Sequence, residues 1–137
     1  MTEQELIKKY VGIPYKHLGR DPKEGLDCLG LLMCFFTDMG RDVKKYDYEN
    51  YSEYWSVTDD RDYYIEKWPE EYVKVSVPHP LDVVLFQNSK GITNHAGIVL
   101  SNNRFIHSCK AGCVVAKLND KQWYEKLTGF YRKIEND

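Results

Sequence analysis

Apolar residues change their rhythm once along this chain, from helical spacing in the first forty residues to alternation after residue 72. Thr2 and Glu5 form a T-x-x-E capping box, and Leu6, Ile7, Tyr10 and Val11 follow at helical spacing. A short amphipathic helix therefore opens the chain, and Gly12 and Pro14 end it. Residues 15–27, with Gly19, Pro22 and Gly25, read as an irregular loop. Next, Cys28, Leu31, Leu32, Phe35, Phe36 and Met39 fall at i, i+3, i+4, i+7, i+8 and i+11, one continuous helix face. Leu29, Met33 and Cys34 make the other sides apolar, so protein is expected to enclose this helix. Asp27 is a good N-cap and Gly40 a good C′ residue, which puts Cys28 in the first turn.

Residues 41–72 interleave Tyr and Trp with acids, as in "YDYENYSEYW". They read as an irregular covering region with short helices. Stacking on sugars is the other use of such aromatics, and the acids argue against phosphate. Period-two segments follow at 73–77, 82–87, 95–100, 104–108, 114–118 and 129–134, with a short capped helix in "NDKQWYEKL" before the last. Short turns between consecutive strands predict a mainly antiparallel sheet. Helices first and strands after predict an α+β domain with helices packed on one face. The 137 residues suffice for one domain with its own core, and no repeat or linker divides them.

A net charge of −2 and a pI of about 6.1 leave no electrostatic footprint for nucleic acid. The first residues are too polar for a signal peptide, and no apolar run is long enough to span a membrane. Synthesis in the cytoplasm without a signal peptide is therefore expected, and so are four free thiols at Cys28, Cys34, Cys109 and Cys113.

Cys28 has two readings: a small apolar core residue, or a nucleophile at a helix N-terminus. The second needs a lowered thiol pKa, which unpaired N–H groups and the macrodipole supply. It also needs a histidine base held by a third polar group. His17 lies in the loop before the helix, and His79 sits in the turn "VPHP". His95 begins one strand and His107 ends the next. A hairpin centred near Ser101 would set His95 directly opposite His107 on one face. His95, His107, Cys109 and Cys113 also form a chemically legal zinc set. Against it, alternation brings only His107 and Cys109 together, so Cys109 reads as a strand residue and Cys113 as a turn residue.

The chain resembles the NlpC/P60 cysteine peptidases, which have a papain-like fold and cleave peptidoglycan stem peptides. "GIPYKHLG", "GLDCLGLL", "PLDVVLF", "HAGIVLSNNRFIHS" and "WYEKLTGFYRKI" resemble successive family segments. The resemblance implies a central helix carrying the nucleophile on a mainly antiparallel sheet. It makes Cys28 the nucleophile, His95 the general base and His107 the orienting residue. Tyr15 would line the site or help hold the oxyanion, and Asp27 matches an acid that contacts the substrate amine. Leu29 replaces a serine that helps bind this amine in many cell-wall members. Asp-Cys-Leu-Gly with an aromatic-rich stretch at 46–68 resembles a subgroup of phage tails, prophages and gene transfer agents.

The implied activity is hydrolysis of the γ-D-glutamyl–diamino acid bond, with no metal or organic cofactor. The implied partners are a peptidoglycan stem peptide and phage tail proteins. A particle would deliver such an enzyme to the wall, so neither signal nor wall-binding module is required. A silent tail protein on the same fold, an acyltransferase or lipid hydrolase, and a zinc module are the alternatives.

Overall fold

The computed structural model describes residues 2–40 and 72–134. The aromatic, acidic stretch that was expected to cover the core lies almost wholly outside them. Helix α1 (Glu3–Tyr10) starts where the capping pattern places it, with the Thr2 hydroxyl accepting from the Glu5 N–H at 3.1 Å. The Glu3 carboxylate accepts from Ser101 and Arg104, which ties α1 to a later hairpin turn.

The loop expected to be irregular holds a small ribbon, β1 (Arg20–Asp21) against β2 (Gly25–Leu26). Asp21 and Pro22 open its turn, and the Glu24 N–H closes on the Asp21 carbonyl at 3.0 Å. Helix α2 (Cys28–Asp38) follows. Leu31, Leu32, Phe35 and Phe36 are buried, as the helical spacing requires.

Six further strands form one sheet: β3 (Tyr72–Val75), β4 (Val83–Gln87), β5 (Thr93–Leu100), β6 (Arg104–Cys109), β7 (Gly112–Lys117) and β8 (Leu127–Lys133). Their order is β3-β8-β4-β5-β6-β7, and every neighbouring pair is antiparallel. The last strand therefore inserts between β3 and β4, which are consecutive in sequence but do not pair. Arg132 on β8 grips the buried Asp82 carboxylate just before β4, with contacts of 2.9 and 2.8 Å.

Helix α2 packs on β5 and β6. Ala96, Ile98, Leu100 and Ile106 of these strands, with Val83 and Leu85 of β4, share one apolar core with it. The opposite sheet face has its own apolar cluster of Val84, Phe86, Val99 and Phe105. Trp123, on the short helix α3 (Lys121–Tyr124), packs against that cluster. Helices thus lie on both faces, contrary to the one-sided packing expected from element order. Cys109 is a strand residue as expected, whereas Cys113 is not the turn residue that was expected. Both are strand residues, flanking the turn at Lys110 and Ala111.

Candidate active site

Asp27 is the N-cap of α2, so Cys28 is its first helical residue. The Cys28 N–H therefore belongs to the turn whose amides have no carbonyl partner within the helix. Asp27 is buried, and its Oδ1 accepts from the Gly30 N–H at 2.7 Å and from Arg20 at 2.9 Å. Its Oδ2 accepts from the Leu18 N–H at 3.0 Å, where Leu18 is held at φ 61°. One carboxylate thus ties the helix start to a strained loop residue. Two glycines let that loop approach. A Cβ on Gly30 would lie 1.9 Å from the Gly19 carbonyl oxygen, and one on Gly19 would lie 2.2 Å from that of Gly25.

The histidines come from β5 and β6. Their paired residues run Ile98↔Ile106, Val99↔Phe105 and Leu100↔Arg104, so the hairpin is centred at Asn102 and not at Ser101. Asn102 and Asn103 adopt φ 61° and 56°, and asparagine tolerates this left-handed region better than most residues. The register correction makes His95 and His107 diagonal neighbours on one face, not direct partners. They still meet, because diagonal positions lie within reach of ring side chains. His95 Nε2 is 2.7 Å from His107 Nδ1, with the rings edge to face at 85°. Gly97 leaves room for this: a Cβ there would come within 3.3 Å of the His107 Cβ.

Both rings lie on the sheet face away from α2, beside Phe86, Phe105 and Trp123. Cys28 and His95 both line one cleft of about 520 Å³. Tyr15, Asn94, Cys109 and Trp123 also line it. A β-bulge helps shape the cleft. Phe86 pairs with His95 and Gln87 with Thr93, so Asn94 is the extra residue, and Asn94 and His95 both border the cleft.

Burial pushes the His95 imidazole well below its ordinary range, and the nearby positive charge of Lys126 adds to this. His107, 1% exposed, is pushed down to about 4 by burial. Both rings are therefore neutral at pH 7. Burial pushes the Cys34 and Cys113 thiols the other way, up and away from thiolate.

Of the residues singled out in the sequence, Cys28, His95 and Tyr15 share the cleft, and His107 stands behind His95. Asp27 faces the loop and the helix start, and it does not line the cleft. The zinc set does not assemble, because Cys113 is packed in the α2-side core while Cys109 lines the cleft. Among the described residues no group of three or more His, Cys, Asp or Glu could hold a metal ion. Trp123 was missed as a site residue. It stacks on His95 at 5.6 Å and meets His107 edge-on at 4.7 Å. The available signal was a tryptophan in a short polar helix, with no other visible reason to be there.

A sequence model described as the NlpC/P60 family matches residues 12–132. The γ-DL-glutamyl hydrolase of Bacillus subtilis (strain 168) is 32% identical over 131 residues, which is 94% of this chain and 28% of that protein. A solved NlpC/P60 family protein from Bacillus cereus superposes with a TM-score of 0.72 at 20% identity, covering 98% of this chain and 41% of the other. The NlpC/p60 domain of the peptidoglycan hydrolase SagA superposes with a TM-score of 0.59 at 22% identity, covering 96% and 94%. At such identities the structural likenesses show a shared fold.

Proposed function

The chain belongs to the NlpC/P60 family, and on that premise we propose that it is a cysteine endopeptidase of peptidoglycan stem peptides, acting as a single catalytic unit. Its α+β fold is the papain-like fold of that family. The observation that carries the reading is the juxtaposition of a helix-start cysteine and a histidine in one cleft, the histidine backed by a second.

The ring contact supports one tautomer. His95 Nε2 faces His107, so Nδ1 is the atom for the thiol proton. His95 Nε2–H then donates to His107 Nδ1 throughout the cycle. Cys28 passes its proton to His95 Nδ1, and its sulfur attacks the amide carbon. The Cys28 N–H and the Tyr15 hydroxyl hold the resulting oxyanion. Collapse breaks the C–N bond as His95 returns the proton to the leaving amine. Water, activated by His95, hydrolyses the thioester and restores the thiol. Asp27 holds the helix start in place; it is assigned no contact with substrate.

The bond assigned is the amide between γ-D-glutamate and the diamino acid. The relative that is a γ-DL-glutamyl hydrolase supports this choice. The Asp27-Cys28-Leu29-Gly30 motif and the aromatic-rich segment 46–68 support a phage-tail or prophage setting, with delivery to the wall by a particle. Detection of the protein in purified particles tests the setting. Mass spectrometry of peptidoglycan fragments treated with the protein and with Cys28→Ala tests the reaction. Cleavage after D-glutamate that disappears in the variant is the expected result. Cleavage that persists in the variant overturns the role of Cys28, and no cleavage by either folded protein overturns the peptidase reading.

A further inference from the structure

The cleft carries a charge asymmetry that the catalytic residues do not explain. Among the described residues no aspartate or glutamate lines it, whereas Lys110 and Lys126 both do. Lys110 directly follows β6, and Lys126 directly precedes β8. The Gln87 N–H donates to the Lys126 carbonyl at 2.7 Å, which fixes the lysine backbone against the end of β4. Both lysines are exposed, and neither has an ion-pair partner among the described residues. The rest of the wall near them is neutral and rich in donors, with Gln87, Asn88, Ser89 and Asn94. The Lys126 charge is felt at His95, which places it close to the reacting centre.

We propose that Lys110 and Lys126 read a free carboxylate on the substrate next to the scissile amide; this rests on the peptidase reading above. The chemistry of the bond supplies the matching group. A glutamate linked through its side chain keeps its α-carboxylate, four bonds from the scissile carbonyl carbon, a reach of about 5 Å. The carboxylate would leave water for a cleft whose described residues offer two cations and several amide or hydroxyl donors but no competing anion. Conversion of that carboxylate to a carboxamide removes the charge and leaves the size almost unchanged. The lysines therefore set a preference for the free acid over the amidated peptide.

The test uses L-alanyl-γ-D-glutamyl-diaminopimelate and the same peptide with the glutamyl α-carboxylate as carboxamide. Binding is measured by calorimetry on the full chain carrying Cys28→Ala, alone and with Lys110→Gln, Lys126→Gln or both. Exposed charge pairs contribute about 0.2–1 kcal/mol, so each lysine is expected to contribute up to about fivefold. The acid should bind more tightly than the amide, the double variant should erase the difference, and 0.5 M salt should shrink it. Amide binding should be the same in all variants, which also reports that they fold. Equal affinities for acid and amide, a preference that survives the double variant, or no binding of either peptide overturns the assignment. Cleavage by the unaltered protein is followed in parallel. Equal cleavage of both peptides leaves the peptidase reading standing while the lysine assignment falls. Acid-selective binding without cleavage removes the peptidase reading alone.

Discussion

His95 Nε2 and His107 Nδ1 stand 2.7 Å apart, and in the proposed mechanism this contact sets which nitrogen of each ring does which work. A neutral His95 that accepts a proton at Nδ1 must carry its own proton on Nε2, so His107 Nδ1 is the acceptor. On the proposed mechanism His107 acts through His95, as a positioning residue. Loss of the base in His95→Ala should lower kcat/KM by about 10²–10⁴-fold. His107→Ala should cost less, about 10–100-fold, the worth of a hydrogen bond to an imidazolium that forms during reaction. His107→Asn keeps an acceptor and should recover part of that loss. Steady-state kinetics on the three variants checks the order. Equal losses in His95→Ala and His107→Ala would falsify the division of roles.

The same pair makes stability depend on pH in one direction. Burial lowers His107 from 6.5 to about 4 in the folded chain and lowers His95 as well. Between those values the unfolded chain binds more protons than the folded one. Stability is therefore fully present above about pH 6.5 and falls as pH drops through that window, on the order of 1 kcal/mol per pH unit for His107. Urea unfolding at pH 7 and pH 5 should show a smaller loss for His107→Asn than for the unaltered chain. For the same reason the acid limb of kcat/KM should lie below the ordinary histidine range.

Gly30 tests whether the motif glycine serves packing or chemistry. Its missing Cβ is occupied by the Gly19 carbonyl oxygen, a backbone atom that cannot swing aside. Gly30→Ala must push the loop from the helix start, strain the Asp27 contacts and cost about 1–3 kcal/mol. Asp27→Ala removes the cap and leaves Arg20 without that carboxylate, for about 1–2 kcal/mol from the cap alone. Both should lower the thermal midpoint and turnover together. By contrast, Gly40→Ala meets no atom of the described residues within 4 Å, and its expected cost comes from a φ of +80°. It should leave turnover of the folded protein unchanged.

The boundaries of α2 were legible because two independent signals coincide at each end, the cap and the period. The strands of the large sheet were legible from short apolar, β-branched runs between turn signals, whereas the β1–β2 ribbon was not. What stayed hidden depends on contacts far apart in sequence. Nothing local to residues 127–133 says that β8 will lie between β3 and β4. Nothing in "LSNN" alone sets the turn centre at Asn102, since the choice turns on which residues accept a left-handed backbone. Asp27 could be read as a cap, yet its bonds to Arg20 and the Leu18 N–H need the folded loop. Cys28, His95 and His107 were singled out from residue type and spacing, while their roles came from a family likeness. The shared cleft and the ring nitrogen that faces His107 required coordinates.

Trp123 is where the far face of the sheet and the chemistry meet. It covers both rings, stacking on His95 and meeting His107 edge-on, and it belongs to the cluster with Phe86 and Phe105. Burial is the largest cause of the low basicity of both histidines, so uncovering them must raise it. Trp123→Leu keeps an apolar residue but opens part of the cover to water. NMR titration of the ring protons should then show His107 moving up from about 4 toward 6.5. The acid limb of kcat/KM should move to higher pH with it. The lost aromatic packing should also destabilise the fold by about 1–3 kcal/mol. A variant that loses stability but leaves both titrations in place would reduce Trp123 to a packing residue. A shift of the titration and the acid limb together would show that this side chain keeps the base dry.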